Sequence, residues 1–217
     1  MFSKTSLGSA VVLAALLGSQ AQAAPALTLD AARHALASAS VEIRRAGIER
    51  LGEAGTMADA QRLVPRLADD DAVVRAIATA AIWRIWSRSG DPAIDALFKR
   101  GVDEINDARL QDALATFTEI IRRKPSFAEG WNKRATIYYL LGRHAEALKD
   151  CAEVIKRNPI HFGALSGYAQ IYAAQDEPER ALVYYRRALQ VNPNLPDAEE
   201  TIELLEEQVA AKRRHTT

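Results

Sequence analysis

The side chains that could carry out chemistry are few and far apart. His34, His144, His161 and His215 are scattered along the chain, and Cys151 is its single cysteine. One thiol makes neither an internal disulfide nor a cysteine-based zinc box. No His-Glu-x-x-His, Gly-x-Ser-x-Gly or glycine-rich phosphate loop occurs. The spacings that zinc hydrolysis, acyl transfer and nucleotide chemistry use are therefore missing. The many carboxylates fall on helix faces and caps, and sequence leaves open which of them meet in space. The expectation is a non-catalytic chain with no cofactor and no metal. An enzyme is the second reading, which a pocket of converging groups would revive.

Charge narrows the partners. Twenty-eight basic and 28 acidic residues leave no net charge, and neutralising phosphates takes a basic surplus, so no nucleic-acid partner is expected. Lys212, Arg213 and Arg214 are better read as charge suited to the C-terminal end of a helix. At the other end stand Lys4, an apolar run from Leu7 to Gly18 and the small-x-small triplet Ala21-Gln22-Ala23. Together they read as a secretory signal peptide over residues 1–23, with a mature N-terminus at Ala24. The run is too short to span a bilayer comfortably. The mature chain is expected to be exported, most simply periplasmic, with no membrane insertion after cleavage.

Any binding residues must be positioned by helical arrays. Pro125, Pro159 and Pro193 are 34 residues apart, and so are Ala113, Ala147 and Ala181. The small residues Gly101, Ala135 and Ala169 keep the same interval, as do Phe117, Cys151 and Tyr185. A fixed period of this length marks stacked helix pairs. The units run 94–127, 128–161 and 162–195. In the second, the helices are expected at Ala128–Leu140 and His144–Arg157, with Gly142 at the bend and Pro159 ending the pair. Ser126-x-x-Glu129 reads as its opening capping box. Cys151 then faces a helix–helix core as a small buried hydrophobe.

A weaker recurrence precedes these units. Ile43-Arg44 with Gly47 and Leu51 matches Val74-Arg75 with Ala78 and Ile82 at an offset of 31. Asp69 to Asp71 should cap the helix that follows, and Arg75 can reach back to that turn. Thr56-x-x-Asp59 opens another helix, which Pro65 should kink or split. Gly90, Asp91 and Pro92 stop one helix and start the next without a linker. The two arrays should therefore stack as one continuous body. Trp83 and Trp86 lie on one helix face near that boundary, either as junction core or as a second interface for a partner or another copy.

The 34-residue units resemble the tetratricopeptide repeat (TPR) family. The motif is carried by Trp131, Ala135, Tyr138, Gly142, Ala147 and Pro159, and again by Leu165, Ala169, Tyr172, Ala181, Tyr185 and Pro193. Unit one departs, with Glu104 in the tyrosine position and Ala108 at the bend. Residues 24–90 resemble HEAT-like repeats, best in Leu67-Ala-Asp-Asp-Asp-Ala-Val-Val-Arg75. The stretches Trp-Ser-Arg-Ser-Gly (86–90) and His-Phe-Gly-Ala-Leu-Ser-Gly (161–167) also resemble small exported bacterial TPR proteins. The resemblance implies an all-α, right-handed α-solenoid: HEAT-like helices over 24–90, TPR units within 91–195, and a capping helix with a basic tail over 196–217. That helix is expected at about Leu195 to Arg213.

The resemblance also implies a job, holding a protein or peptide partner in the concave groove. The inward positions are Phe98 and Val102 in unit one, Asn132, Thr136 and Tyr139 in unit two, and Ser166 and Gln170 in unit three. Some TPR modules clamp a partner's terminal carboxylate with Lys and Asn in the places of Phe98 and Val102, so that partner class is disfavoured here. The polar members of the set are either contacts for an extended backbone or merely solvated. A monomeric adaptor or scaffold of the cell envelope is expected. The alternative is a structural subunit that self-associates through Trp83 and Trp86 or a solenoid end.

Overall fold

The computed structural model describes residues 27–216, so the signal-peptide reading of residues 1–23 lies outside the described residues. Among these residues the fold is all-helical. The first module comprises α1 (Leu29–Ala35), α2 (Val41–Ala54), α3 (Met57–Leu63), a 3-10 turn (Val64–Ala68) and α4 (Ala72–Trp86). Three antiparallel pairs follow: α5 (Pro92–Asn106) with α6 (Leu110–Arg123), α7 (Ala128–Leu140) with α8 (His144–Arg157), and α9 (Phe162–Ala174) with α10 (Pro178–Val191). The last helix, α11, is Ala198–Thr216 and packs on α10. It starts three residues later than the sequence suggests, because Asp197 takes a left-handed backbone (φ 52°) that no helix continues through.

The first module repeats its own bonding. The Arg44 guanidinium donates to the carbonyls of Ser38 and Ala39, and 31 residues on Arg75 donates to those of Asp69 and Asp70. Each arginine thus caps the turn before its own helix. The second turn is further tied to the first repeat, since Arg44 also reaches Asp69 (2.7 Å) and Arg45 reaches Asp71 (2.8 Å). Asp71 caps α4 by accepting from the Val74 N–H. Pro65 splits the preceding helix into α3 and the 3-10 turn, as a residue without an N–H must. Ile48, Leu51, Leu63, Leu67 and Ile82 are completely buried between these helices. Each such side chain contributes about 1.5–3 kcal/mol of transfer free energy.

The pairs repeat a different device. Ala108, Gly142 and Asp176 sit 34 residues apart at the three bends, all with positive φ (58°, 71° and 58°). In each bend the following N–H reaches back five residues to a carbonyl: Arg109 to Glu104, Arg143 to Tyr138, and Glu177 to Tyr172, all at 2.8 Å. This left-handed closure satisfies the last carbonyls of the first helix. Only Gly142 adopts it without strain, so Ala108 and Asp176 hold it against their preference.

The two arrays do not stack end to end as the tight Gly90-Asp91-Pro92 stop suggests. The core of the first module takes in Phe162, from the start of α9, and no residue of α5. The Asn194 amide, after α10, donates to the Leu67 carbonyl. The first module therefore folds back over the loops that lead into α7, α9 and α11. The physical reason is Trp83 and Trp86. Their rings find aromatic partners at the start of α9, and that burial outweighs stacking on α5.

Candidate functional site

The fold-back shapes the site. Trp86 is only 3% exposed and stacks on His161, with ring centroids 4.4 Å apart at 19°. Trp83 is half-buried and meets Trp86, His161 and Phe162 edge-on at 5.3–5.4 Å. Gly163 makes this approach feasible, since a Cβ there would stand 2.6 Å from the Trp83 ring. Of the two tryptophans read as a possible second interface, Trp86 is taken up by the joint, whereas Trp83 keeps an open side. Both belong to a junction between α4 and α9.

Beneath the rings lies a buried polar pair that sequence reading missed. Glu129 and His161 are completely buried, and Glu129 accepts hydrogen bonds from His161 Nε2 and from the Asn132 amide (3.1 Å). His161 Nδ1 accepts the Ala164 N–H at 3.0 Å and so caps α9, which places the ring proton on Nε2. Burial pushes the Glu129 carboxyl up, but His161, Lys133 and Asn132 outweigh it and hold it below the usual carboxylate range. The expected Ser126-x-x-Glu129 capping box does not form. Ser126 is exposed, Phe127 is the N-cap of α7 without a side-chain bond, and Glu129 turns inward to His161. The signal was present at equivalent repeat positions, where Phe127, His161 and Leu195 correspond, as do Glu129, Gly163 and Asp197. Two polar exceptions at those places compensate each other.

The expected groove residues divide. Phe98 is 9% exposed and packs edge-on against Phe117 and Phe127, so it is core. Val102 is half-buried against the same cluster. Asn132 is 8% exposed and committed to Glu129, so it too leaves the groove set. Thr136 stays exposed, with its hydroxyl bonded to the Asn132 carbonyl, and half-buried Tyr139 stacks on His144. Asn132, Thr136, Tyr139 and Gln170 do share the walls of one small cleft of about 90 Å³.

Ser166 and Gln170 open onto something larger, a cavity of about 780 Å³ between α4, α9 and α11. Trp83, Phe162 and Ala173 line one side, and Thr201, Leu204 and Gln208 line the other. Asp197 is its one charged lining residue among the described residues. Leu204 is 54% exposed. Cys151, at the back of the small cleft, is 2% exposed, and burial followed by Asp150 pushes its thiol up to about 12. It is packing, not a nucleophile. Among the described residues no three His, Cys, Asp or Glu side chains converge as metal ligands, and no helix is long and apolar enough to cross a membrane.

An α-solenoid with an uncharged cleft along one face defines a helical-repeat module. Two family models described as tetratricopeptide repeat match it, one over residues 128–161 and one over 162–195. A TPR repeat-containing protein of Rhizobium etli is 34% identical over 128 residues, 59% of this chain and 63% of that protein. Hsp70-Hsp90 organizing protein 2 of Arabidopsis thaliana is 30% identical over 105 residues, 48% of this chain and 18% of that protein. The chain thus spans less than two thirds of these relatives' lengths. Among solved structures, the first TPR domain of Spaghetti (RPAP3), bound to the HSP90 peptide SRMEEVD, superposes with a TM-score of 0.52 at 22% identity, over 54% of this chain and 93% of that one. MamA superposes with a TM-score of 0.52 at 15% identity, over 73% of this chain and 87% of that one. At these identities the likeness is one of fold.

Proposed function

We propose that the protein is a non-catalytic adaptor that holds an extended, largely uncharged peptide segment of a partner protein in the cavity between α4, α9 and α11. The carrying observation is the lining of that cavity. It offers aromatic and leucine walls, the amides of Gln170 and Gln208, and no basic side chain. Amides of this kind pair with an extended backbone, and the apolar walls take an alternate side chain. The HSP90 peptide held by Spaghetti is acidic; an acidic terminus would find no cation here to pair with. The relatives support the peptide-holding role, and the lining points to a different peptide.

The proposal extends to location and ancestry. The leader over residues 1–23 is read as a cleaved signal that delivers the protein to the periplasm, and the 31-residue recurrence of arginine-capped turns supports a HEAT-like origin for the first module. Peptides selected from a random displayed library on the purified protein should carry an apolar side chain and little charge. Gln170→Ala combined with Leu204→Ala should weaken a selected peptide at least about tenfold. Undiminished binding to that double variant, or selection of acidic peptides, would move the binding surface elsewhere. Intact mass of the exported protein should begin at Ala24.

A further inference from the structure

On the opposite side of the Trp86 joint from the peptide cavity lies a second, smaller cavity of about 270 Å³. Four segments enclose it. Met57 and Gln61 come from α3, and Trp86, Arg88 and Ser89 from the end of α4. Lys124, Ser126, Phe127 and Ala128 lead into α7, and Arg157, Asn158 and Pro159 follow α8. Every charged residue on this lining is a cation. Arg157 has a carboxylate partner in Glu153, whereas Arg88 donates only to the carbonyls of Gly52 and Gly55 (2.6 and 2.8 Å). No carboxylate pairs with Lys124 among the described residues. Asp95, which lies near Arg88, accepts from the Ser89 N–H and does not line the cavity.

Two further facts point the same way. Trp86 and Asn158 are each 3% exposed, yet the indole Nε1 and the amide Nδ2 have no hydrogen-bond partner. A buried donor left unmade costs about 1–3 kcal/mol, so two on one lining call for an acceptor. The first turn of the 13-residue helix α7, whose Phe127 and Ala128 line the cavity, also has no side-chain cap. The positive dipole end of that helix adds to the same polarity.

We propose that this cavity is a binding site for a small oxyanion, a carboxylate or a phosphate, held by Lys124 and Arg88, the Trp86 indole, the Asn158 amide and the start of α7. The site is independent of the peptide cavity. Because its walls come from both the first module and the tandem units, an anion there clamps the two together.

The test is a titration of the full mature chain with phosphate, and separately with acetate, at constant ionic strength, followed by ¹⁵N-detected shifts of the Trp86 indole N–H assigned with Trp86→Phe. A saturable shift of that resonance is expected, with the tighter of the two anions identifying the source. Lys124→Ala should raise the dissociation constant at least about fivefold, while Lys149→Ala, an exposed charge on α8, should leave it unchanged. Absence of a saturable shift up to about 50 mM of either anion overturns the proposal. So does an equal loss in both lysine variants, which would mean bulk screening of a water-filled space.

Discussion

The first module and the tandem units stack helix pairs by opposite means. In the first module the recurring contact is polar: Arg44 and Arg75 cap their own turns, and Arg44 and Arg45 cross to Asp69 and Asp71. In the tandem units the recurring contacts are a left-handed bend and an apolar seam, with Ala113, Ala147 and Ala181 wholly buried and Phe117, Cys151 and Tyr185 nearly so. A charged ladder fixes which turn meets which, because a mismatch strands a buried ion. An alanine seam fixes how closely two helices approach. The ladder fails when a polar group is removed, the alanine seam when one is added.

The sharpest break of that contrast is to add polarity to the alanine seam. Cys151→Asp should destabilise the protein by about 3 kcal/mol or more in urea unfolding, because an unpaired carboxylate enters a dry contact. Native Cys151 should also react slowly with thiol reagents until the chain unfolds. Removing polarity from the ladder comes next. Asp69→Ala takes the acceptor from Arg44, Arg66 and the Asp71 N–H, and should cost about 2 kcal/mol. A loss from Asp69→Ala that Asp69→Asn does not share would show the charge to be idle.

Acid loads both regions without mutation. In Asp59 the Arg33 guanidinium, against the opposing effect of burial and with help from Thr56, holds the carboxyl down to about 2 from an ordinary 3.8. A depressed carboxyl stabilises the fold fully above its unfolded value and loses that contribution as pH falls through the folded one. Asp69 and Asp71 are shifted the same way, Asp69 by Arg44 against burial and Asp71 first by Arg45. Amide exchange in α1–α4 should therefore rise as pH falls from about 4 to about 2, and the depressed Glu129 beside His161 should raise it in α7 and α9 over the same fall. The smallest effect is at the peptide cavity. Gln170 is exposed, so Gln170→Ala should change stability by less than about 0.5 kcal/mol.

Much of the fold was legible because both periods are written in residue type. The bounds Ala128–Leu140 and His144–Arg157 follow from Trp131, Gly142 and Pro159 and match α7 and α8. The arginine pair 44 and 75 announced its own bonds. What sequence could not supply was contact between distant segments. Phe98 and Asn132 occupy positions that a family resemblance assigns to the groove, yet Phe98 was claimed by Phe127 and Asn132 by Glu129, partners that register alone does not reveal. Trp83 and Trp86 were visible as a pair, but their target at His161 and Phe162 lay 75 or more residues away. Of the expected groove, Ser166 and Gln170 remain on the large cavity, the Ser166 hydroxyl bonding only back to the Phe162 carbonyl of its own helix.

The bond from Asn194 to the Leu67 carbonyl has a consequence for how the chain comes together. A linear solenoid touches only nearest neighbours, so it can nucleate anywhere and fray from either end. Here the earliest helices made on the ribosome find their permanent seat only after residue 194 has emerged. That contact carries a loop-closure cost that neighbour-to-neighbour stacking avoids. Until then Trp83 and Trp86 are without the surface that covers them, so the nascent first module presents two indoles to solvent. Once seated, the first module is tied to the segment after α10, and unfolding should proceed as one transition where an open stack of the same units would unravel step by step.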